Sequence, residues 1–328
     1  MPSAVSDGGK YPGSQHPLPP NPPTPHHGGN MAAETKDIIQ DFLSCLQYRP
    51  PGTVPNARLR ADVTAEIISW KAGLSAKFIA GLTDTACTIV ESALAHTSYA
   101  HQRLLSFYSA YIIYVDDFGS RDLEALGRFG QRIAARESQG DPVLERLARQ
   151  FGDMYAMYPR AAADLINTAT LAGVAGTHIE FCTEHMAVAP GALGYPQFLR
   201  GMTGYSTAYA FFNFVKDWRD PADSFYLQIV PELVLCTDRF NDILSFYKET
   251  LDGETNTYIH HRAKAENVDA LVILRNLCEE TLDSIRRIGD LTASDSQLAD
   301  ICRGYLMGNV EFYFRASRYR LAELQIEF

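Results

Sequence analysis

NDILSFYKE, residues 241–249, carries two patterns at once. Ile243, Leu244 and Phe246 serve a core side, while Asn241, Ser245 and Glu249 recur every fourth residue. With about 3.6 residues per turn, positions i, i+4 and i+8 fall nearly on one line, so three oxygen-bearing side chains project into one space. That is a row of hard ligands on a helix.

Helical spacing continues on both sides of this row. Ile38, Ile39, Phe42, Leu43 and Leu46 open a helix after Thr35 that stops near Pro50 and Pro51. Further helices are predicted over 63–79, 83–97, 101–117, 121–138, 142–156 and 160–185, and after the APGALGYP turn over 195–213, 222–250, 266–289 and 294–326. No alternating strand is evident. The stretches 101–117, 165–181 and 205–215 are apolar on most faces, which suits helices surrounded by other helices. The expected fold is all-α, a single helical bundle without a fixed-period repeat and without an internal linker. Residues 1–32, including HPLPPNPPTPHHGG, hold much of the proline and almost no large apolar side chain, and are expected to form a disordered tail ahead of one domain at 33–328.

The chain has 328 residues, and 46% hydrophobic content is ample for a large core. A formal net charge of −10 argues against nucleic-acid binding, which needs Lys and Arg stripes, and means that an anionic ligand must be held by local cations or metal. The six cysteines stand singly, as in a reducing compartment. With neither a secretory start nor a membrane-spanning apolar run, the expected location is cytoplasmic.

A second oxygen cluster stands in YIIYVDDFGSRD, where Asp116 and Asp117 follow Ile112, Ile113 and Val115. Two adjacent carboxylates at the mouth of an apolar interior are costly unless a cation neutralises them. Magnesium takes oxygen ligands and commonly bridges them to substrate phosphates, and is the natural candidate.

The two clusters together resemble the paired metal motifs of class I terpene cyclases. YPQFLR at 195–200, NDILSFYKE at 241–249 and RYRLAEL at 318–324 are similar, in order, to stretches of the fungal trichodiene synthase-like family. The resemblance implies a class I terpenoid synthase-like bundle around an apolar cavity, and conversion of farnesyl diphosphate to a cyclic sesquiterpene with release of diphosphate. By position it implies that Asp116, with Asp117 beside it, and the set Asn241, Ser245 and Glu249 bind magnesium, three ions per site. Arg200 resembles the diphosphate sensor, Thr203 and Gly204 its linker and effector, and Lys248, Arg318 and Tyr319 the diphosphate donors. A homodimer is also suggested.

The match has departures. Ser120 stands where the family has a further Asp, so a third carboxylate would have to come from Asp122, and Ala316-Ser317 replaces an Asp-Arg pair. The product skeleton therefore stays open between trichodiene and, for example, a longiborneol-type structure. A chain-elongating prenyl transferase would be expected to show two DDxxD motifs, and a non-catalytic protein retaining the fold is the other alternative. Among the cavity candidates, Ser109, Ile112 and Ile113 lie on the Asp116 side of their helix, whereas Tyr108, Phe211 and Phe212 read more simply as core. His178, Cys182 and His185 share a helix face but lack a fourth zinc ligand, and His260 and His261 read as exposed.

Overall fold

The computed structural model describes residues 28–216, 218–220 and 222–327. Most of the expected tail, residues 1–27, lies outside the described residues. Its last five positions are helical instead, because α1 (Gly28–Cys45) starts early enough for Met31 to pack on the core. The next helices are α2 (Ala57–Ser69), α3 (Ala76–Ala93), α4 (Tyr99–Phe118), α5 (Leu123–Gly127), α6 (Phe129–Ala135), α7 (Pro142–Met157) and α8 (Arg160–Cys182). There follow α9 (Tyr195–Thr203), α10 (Ser206–Phe211), α11 (Val230–Asp252), α12 (Tyr258–Glu266), α13 (Ala270–Thr292) and α14 (Ser296–Arg315). Short 3-10 turns at Ser317–Tyr319 and Leu321–Leu324 complete the chain, and no strand occurs among the described residues.

Side-chain caps set the start of six of the longer helices. Asn56, Ser75, Ser98, Asp141, Asp269 and Asp295 each accept a hydrogen bond from a first-turn backbone N–H of α2, α3, α4, α7, α13 and α14. The helices expected over 63–79 and 83–97 are displaced for this reason: Asn56 and Ser75 begin α2 and α3, and left-handed Lys71 and Gly73 separate them. The expected 121–138 helix is split at Arg128 and closed by left-handed Arg136. The helix expected from 222 starts only at Val230, with Pro231 in its first turn. The one expected from 266 is preceded by a separate α12, which left-handed Asn267 ends.

Two further breaks shape the centre of the molecule. The 195–213 run divides at Tyr205, whose φ of 51° turns its ring onto Gly173, where a Cβ would collide with it. The 294–326 run stops at Arg315, because extended Ala316 turns the chain back.

α11 packs against α10, α13 and α14, and α3 lies between α4 and α14. Gly308 brings α14 so close to α3 that a Cβ would overlap the Ser92 carbonyl. Phe240, Ile243, Leu244 and Phe246 on α11 have no exposed surface, and burial of such side chains contributes about 1.5–3 kcal/mol each. The apolar side of the 241–249 helix is thus committed to one hydrophobic cluster that runs from Ile38 to Leu324. No described helix is long and apolar enough to cross a membrane.

Candidate active site

A cavity of about 910 Å³ opens between α3, α4, α8, α9, α10, α11, α12 and α14. Asp116, Asp117, Arg200, Thr203, Gly204, Asn241, Ser245, Lys248, Glu249, Arg318 and Tyr319 all line it. Every site residue expected from the sequence therefore faces one space, although the chain separates the first from the last by some two hundred positions.

The spacing in NDILSFYKE acts as anticipated. The Ser245 hydroxyl is 2.6 Å from the Asn241 carbonyl and 2.6 Å from Glu249 Oε1. One hydroxyl carries one proton, so both contacts are satisfied together when the Glu249 carboxyl is itself protonated. Burial favours that state, raising the Glu249 pKa to about 6 against the opposing Ser245 hydrogen bond.

Asp116 opens into the cavity from the last turn of α4. The walls displace bulk water around it, and this desolvation, followed by the charge of Asp117, raises its pKa, while Arg318 and Lys248 pull the other way. Arg318 reaches Asp117 at 3.3 Å, and Tyr319 packs edge-on against Tyr313 and Phe312. Both are carried there by the turn after Ala316. Lys248 is engaged by Glu254, and by Asp252 at 3.5 Å.

Arg200 is the most constrained cation. It donates to the Asn241 carboxamide oxygen at 2.9 Å and to the Asp238 carbonyl at 2.9 Å, and pairs with Asp242 at 2.9 Å and Asp238 at 3.7 Å. Ser206 also hydrogen-bonds the Asp238 carboxylate, and a Cβ on Gly204 would collide with that carboxylate.

Asp122 does not supply a third carboxylate, because its side chain caps α5 by accepting from Ala125 N at 2.9 Å. Ile112 and Ile113 line the cavity, whereas Ser109 lies behind it, bonded at 2.8 Å to the lining residue Tyr209. Tyr108, Phe211 and Phe212 are buried core. His178 meets Cys182 at 3.5 Å while His185 lines the cavity with Glu180 and Glu184. His261 corrects its expected exposure: it is buried on α12 and bonded to Asn256 at 2.8 Å.

The residues that spacing alone missed are Asp238, Asp242, Glu180, Thr237 and Asn309. Asp238 precedes Asp242 by four positions, a one-face signal that could have been found. Glu180 stands inside a stretch read only for zinc; desolvation, then Asp116, raises its pKa to about 7. Among the described residues no three His, Cys, Asp or Glu side chains converge as a metal cluster. Two carboxylates on α4 and an amide, a hydroxyl and a carboxylate on α11 line the cavity together, an oxygen set whose chemistry suits a hard cation.

The trichodiene synthase (TRI5) family model matches residues 67–327. The chain belongs to the trichodiene synthase family. It is thereby a terpene synthase, a carbon–oxygen lyase acting on a prenyl diphosphate. Its similarity to relatives is nearly full-length: 27% identity over 296 residues to terpene synthase 29 of Postia placenta, covering 90% of this chain and 86% of that one. Alpha-cuprenene synthase of Coprinopsis cinerea is 28% identical over 314 residues, covering 90% and 91%. In fold, the family member is similar to a linalool/nerolidol synthase from Streptomyces clavuligerus, with a TM-score of 0.63 at 13% identity over 81% of this chain and 99% of that one.

Proposed function

We infer that the protein is a magnesium-dependent sesquiterpene cyclase that ionises farnesyl diphosphate, cyclises the resulting carbocation and releases diphosphate, with residues 33–328 as its catalytic domain. The observation that carries this reading is the convergence of Asp116 and Asp117 with Asn241, Ser245 and Glu249 on one cavity that also receives Arg200, Lys248, Arg318 and Tyr319. Its volume of about 910 Å³ lies in the range of pockets that enclose small molecules.

In this reading Asp116, Asp117, Asn241, Ser245 and Glu249 hold three magnesium ions. When bound, the ions offset the negative charge that gathers on the leaving diphosphate. Arg318, Lys248 and Tyr319 donate hydrogen bonds to diphosphate oxygens, strongest where charge develops. Arg200 exchanges its contact with Asn241 for the diphosphate, and Thr203 and Gly204 carry that movement across the break between α9 and α10. Ile89, Ile112, Ile113 and Phe312 exclude bulk water from the allylic cation, and the aromatic rings of Tyr209 and Tyr319 line the same cavity. No general base is needed for ionisation.

The test is incubation of the full chain with farnesyl diphosphate and magnesium, with and without isopentenyl diphosphate. Cyclic C15 product and stoichiometric diphosphate support the reading. A longer linear diphosphate would show a chain-elongating transferase, and no magnesium-dependent diphosphate release would show a non-catalytic relative.

A further inference from the structure

The cavity wall mixes apolar side chains such as Ile89, Ile112, Ile113 and Phe312 with polar ones, among them Thr237 on α11 and Asn309 on α14. Asn309 is only 2% exposed, and Tyr305, one helical turn before it, is fully buried and links the two. The direction of each hydrogen bond follows from what each group can do. The Thr237 hydroxyl lies 2.8 Å from the Leu233 carbonyl, which can only accept, so the Thr237 proton goes there. The Tyr305 hydroxyl, 2.7 Å from Thr237 Oγ1, is then the donor of that pair. Asn309 Nδ2 donates to the Tyr305 carbonyl at 2.9 Å, and the amide also bonds the Tyr305 hydroxyl. The amide nitrogen is therefore committed to Tyr305. What remains open on this part of the wall accepts only: the Asn309 carboxamide oxygen, which receives no hydrogen bond from any described residue, and the second lone pair of Thr237 Oγ1.

We propose that Asn309 and Thr237 are positioning residues that hold a water molecule in the cavity with its lone pair toward the substrate, so that the enzyme releases a terpene alcohol. This rests on the cyclase reading above and specifies its product class. Open to the cavity, these acceptors can each receive a hydrogen bond from a water held there. A water bound through its hydrogens to two acceptors turns its oxygen away from them, the polarity needed to meet a carbocation. The oxygen lone pair forms the new C–O bond at the cationic carbon. The oxonium so formed loses one proton to the departing diphosphate, the most basic group in the site. Atoms and charge balance without a further reactant: cation plus water gives alcohol plus a proton.

The experiment uses the full chain with farnesyl diphosphate and magnesium in oxygen-18 water, with products identified by mass spectrometry and diphosphate release measured in parallel. The expected result is an alcohol carrying the label, and an alcohol-to-hydrocarbon ratio that falls about tenfold in Asn309→Leu and in Thr237→Val while diphosphate release persists. Should Asn309→Leu fold poorly, Thr237→Val, which removes one hydroxyl from a half-buried position, decides the matter. Hydrocarbon alone from the parent enzyme, an unlabelled alcohol, or an unchanged ratio in the variants overturns the proposal and leaves the cyclase reading intact. Absence of diphosphate release from farnesyl diphosphate overturns the cyclase reading itself.

Discussion

The guanidinium of Arg200 donates a 2.9 Å hydrogen bond to the carboxamide oxygen of Asn241. The oxygen proposed to face a metal ion is therefore satisfied by a cation of the protein itself when no ligand is bound. The same guanidinium neutralises buried Asp238 and Asp242. Arg200→Met strands both carboxylates, and breaking such a buried pair costs about 3–5 kcal/mol. Urea denaturation is expected to show the loss as a lower midpoint. Arg200→Lys keeps the charge without the planar fork, and should restore part of the stability but little turnover.

Glu249 behaves oppositely. Among the described residues its one side-chain hydrogen bond is to Ser245, and none forms an ion pair with it. Glu249→Ala should slow diphosphate release at least about 10²-fold, a loss of the size seen when a group stabilising developing charge is removed. The residual rate should need more magnesium, with helical content by circular dichroism close to the parent. Full activity at low magnesium would argue strongly against the proposed site.

The same acids set a pH dependence. Glu180 and Glu249 have pKa values raised from 4.5 to about 7 and about 6, chiefly by desolvation. Between 4.5 and about 7 the folded protein holds protons that the unfolded chain has released, so stability is greatest below the ordinary carboxylate pKa and falls as pH rises through this window. In chelator the melting temperature should be higher at pH 5 than at pH 8. Magnesium with diphosphate should narrow the gap, and Glu180→Gln should remove part of it. A pH 5 to pH 8 difference that Glu180→Gln leaves unchanged would refute the assignment of Glu180.

Two glycines three residues apart should respond in opposite directions. A Cβ on Gly201 meets nothing within 4 Å, and removing a helical glycine's unfolded-state freedom there should add about 0.5–1 kcal/mol with turnover unchanged. A Cβ on Gly204 would strike the Asp238 carboxylate and come within 3.1 Å of Arg200, so Gly204→Ala should cost about 1–3 kcal/mol. Thermal melts of the two variants, with rates of diphosphate release, check both.

Period and chemistry along the chain were enough to read α7, whose expected span of 142–156 differs by one residue from Pro142–Met157, and the acid pair at the end of α4. They also placed Asn241, Ser245 and Glu249 on one side of α11, because one helix brings residues four apart onto the same side whatever surrounds it. Helix boundaries were harder. Periodicity runs straight through Tyr205 and Ala316, where the chain turns because a ring settles on Gly173 and because the segment bearing Arg318 and Tyr319 folds back over the cavity.

Only packing between distant helices decided that Arg200 rests on Asp238 and Asp242 and that Thr237 and Asn309 reach the same wall. Those pairings join positions tens of residues apart. Helical periodicity specifies which residues share a side, whereas the partner that side meets is set by how whole helices fit together and which buried charges then find a counter-charge.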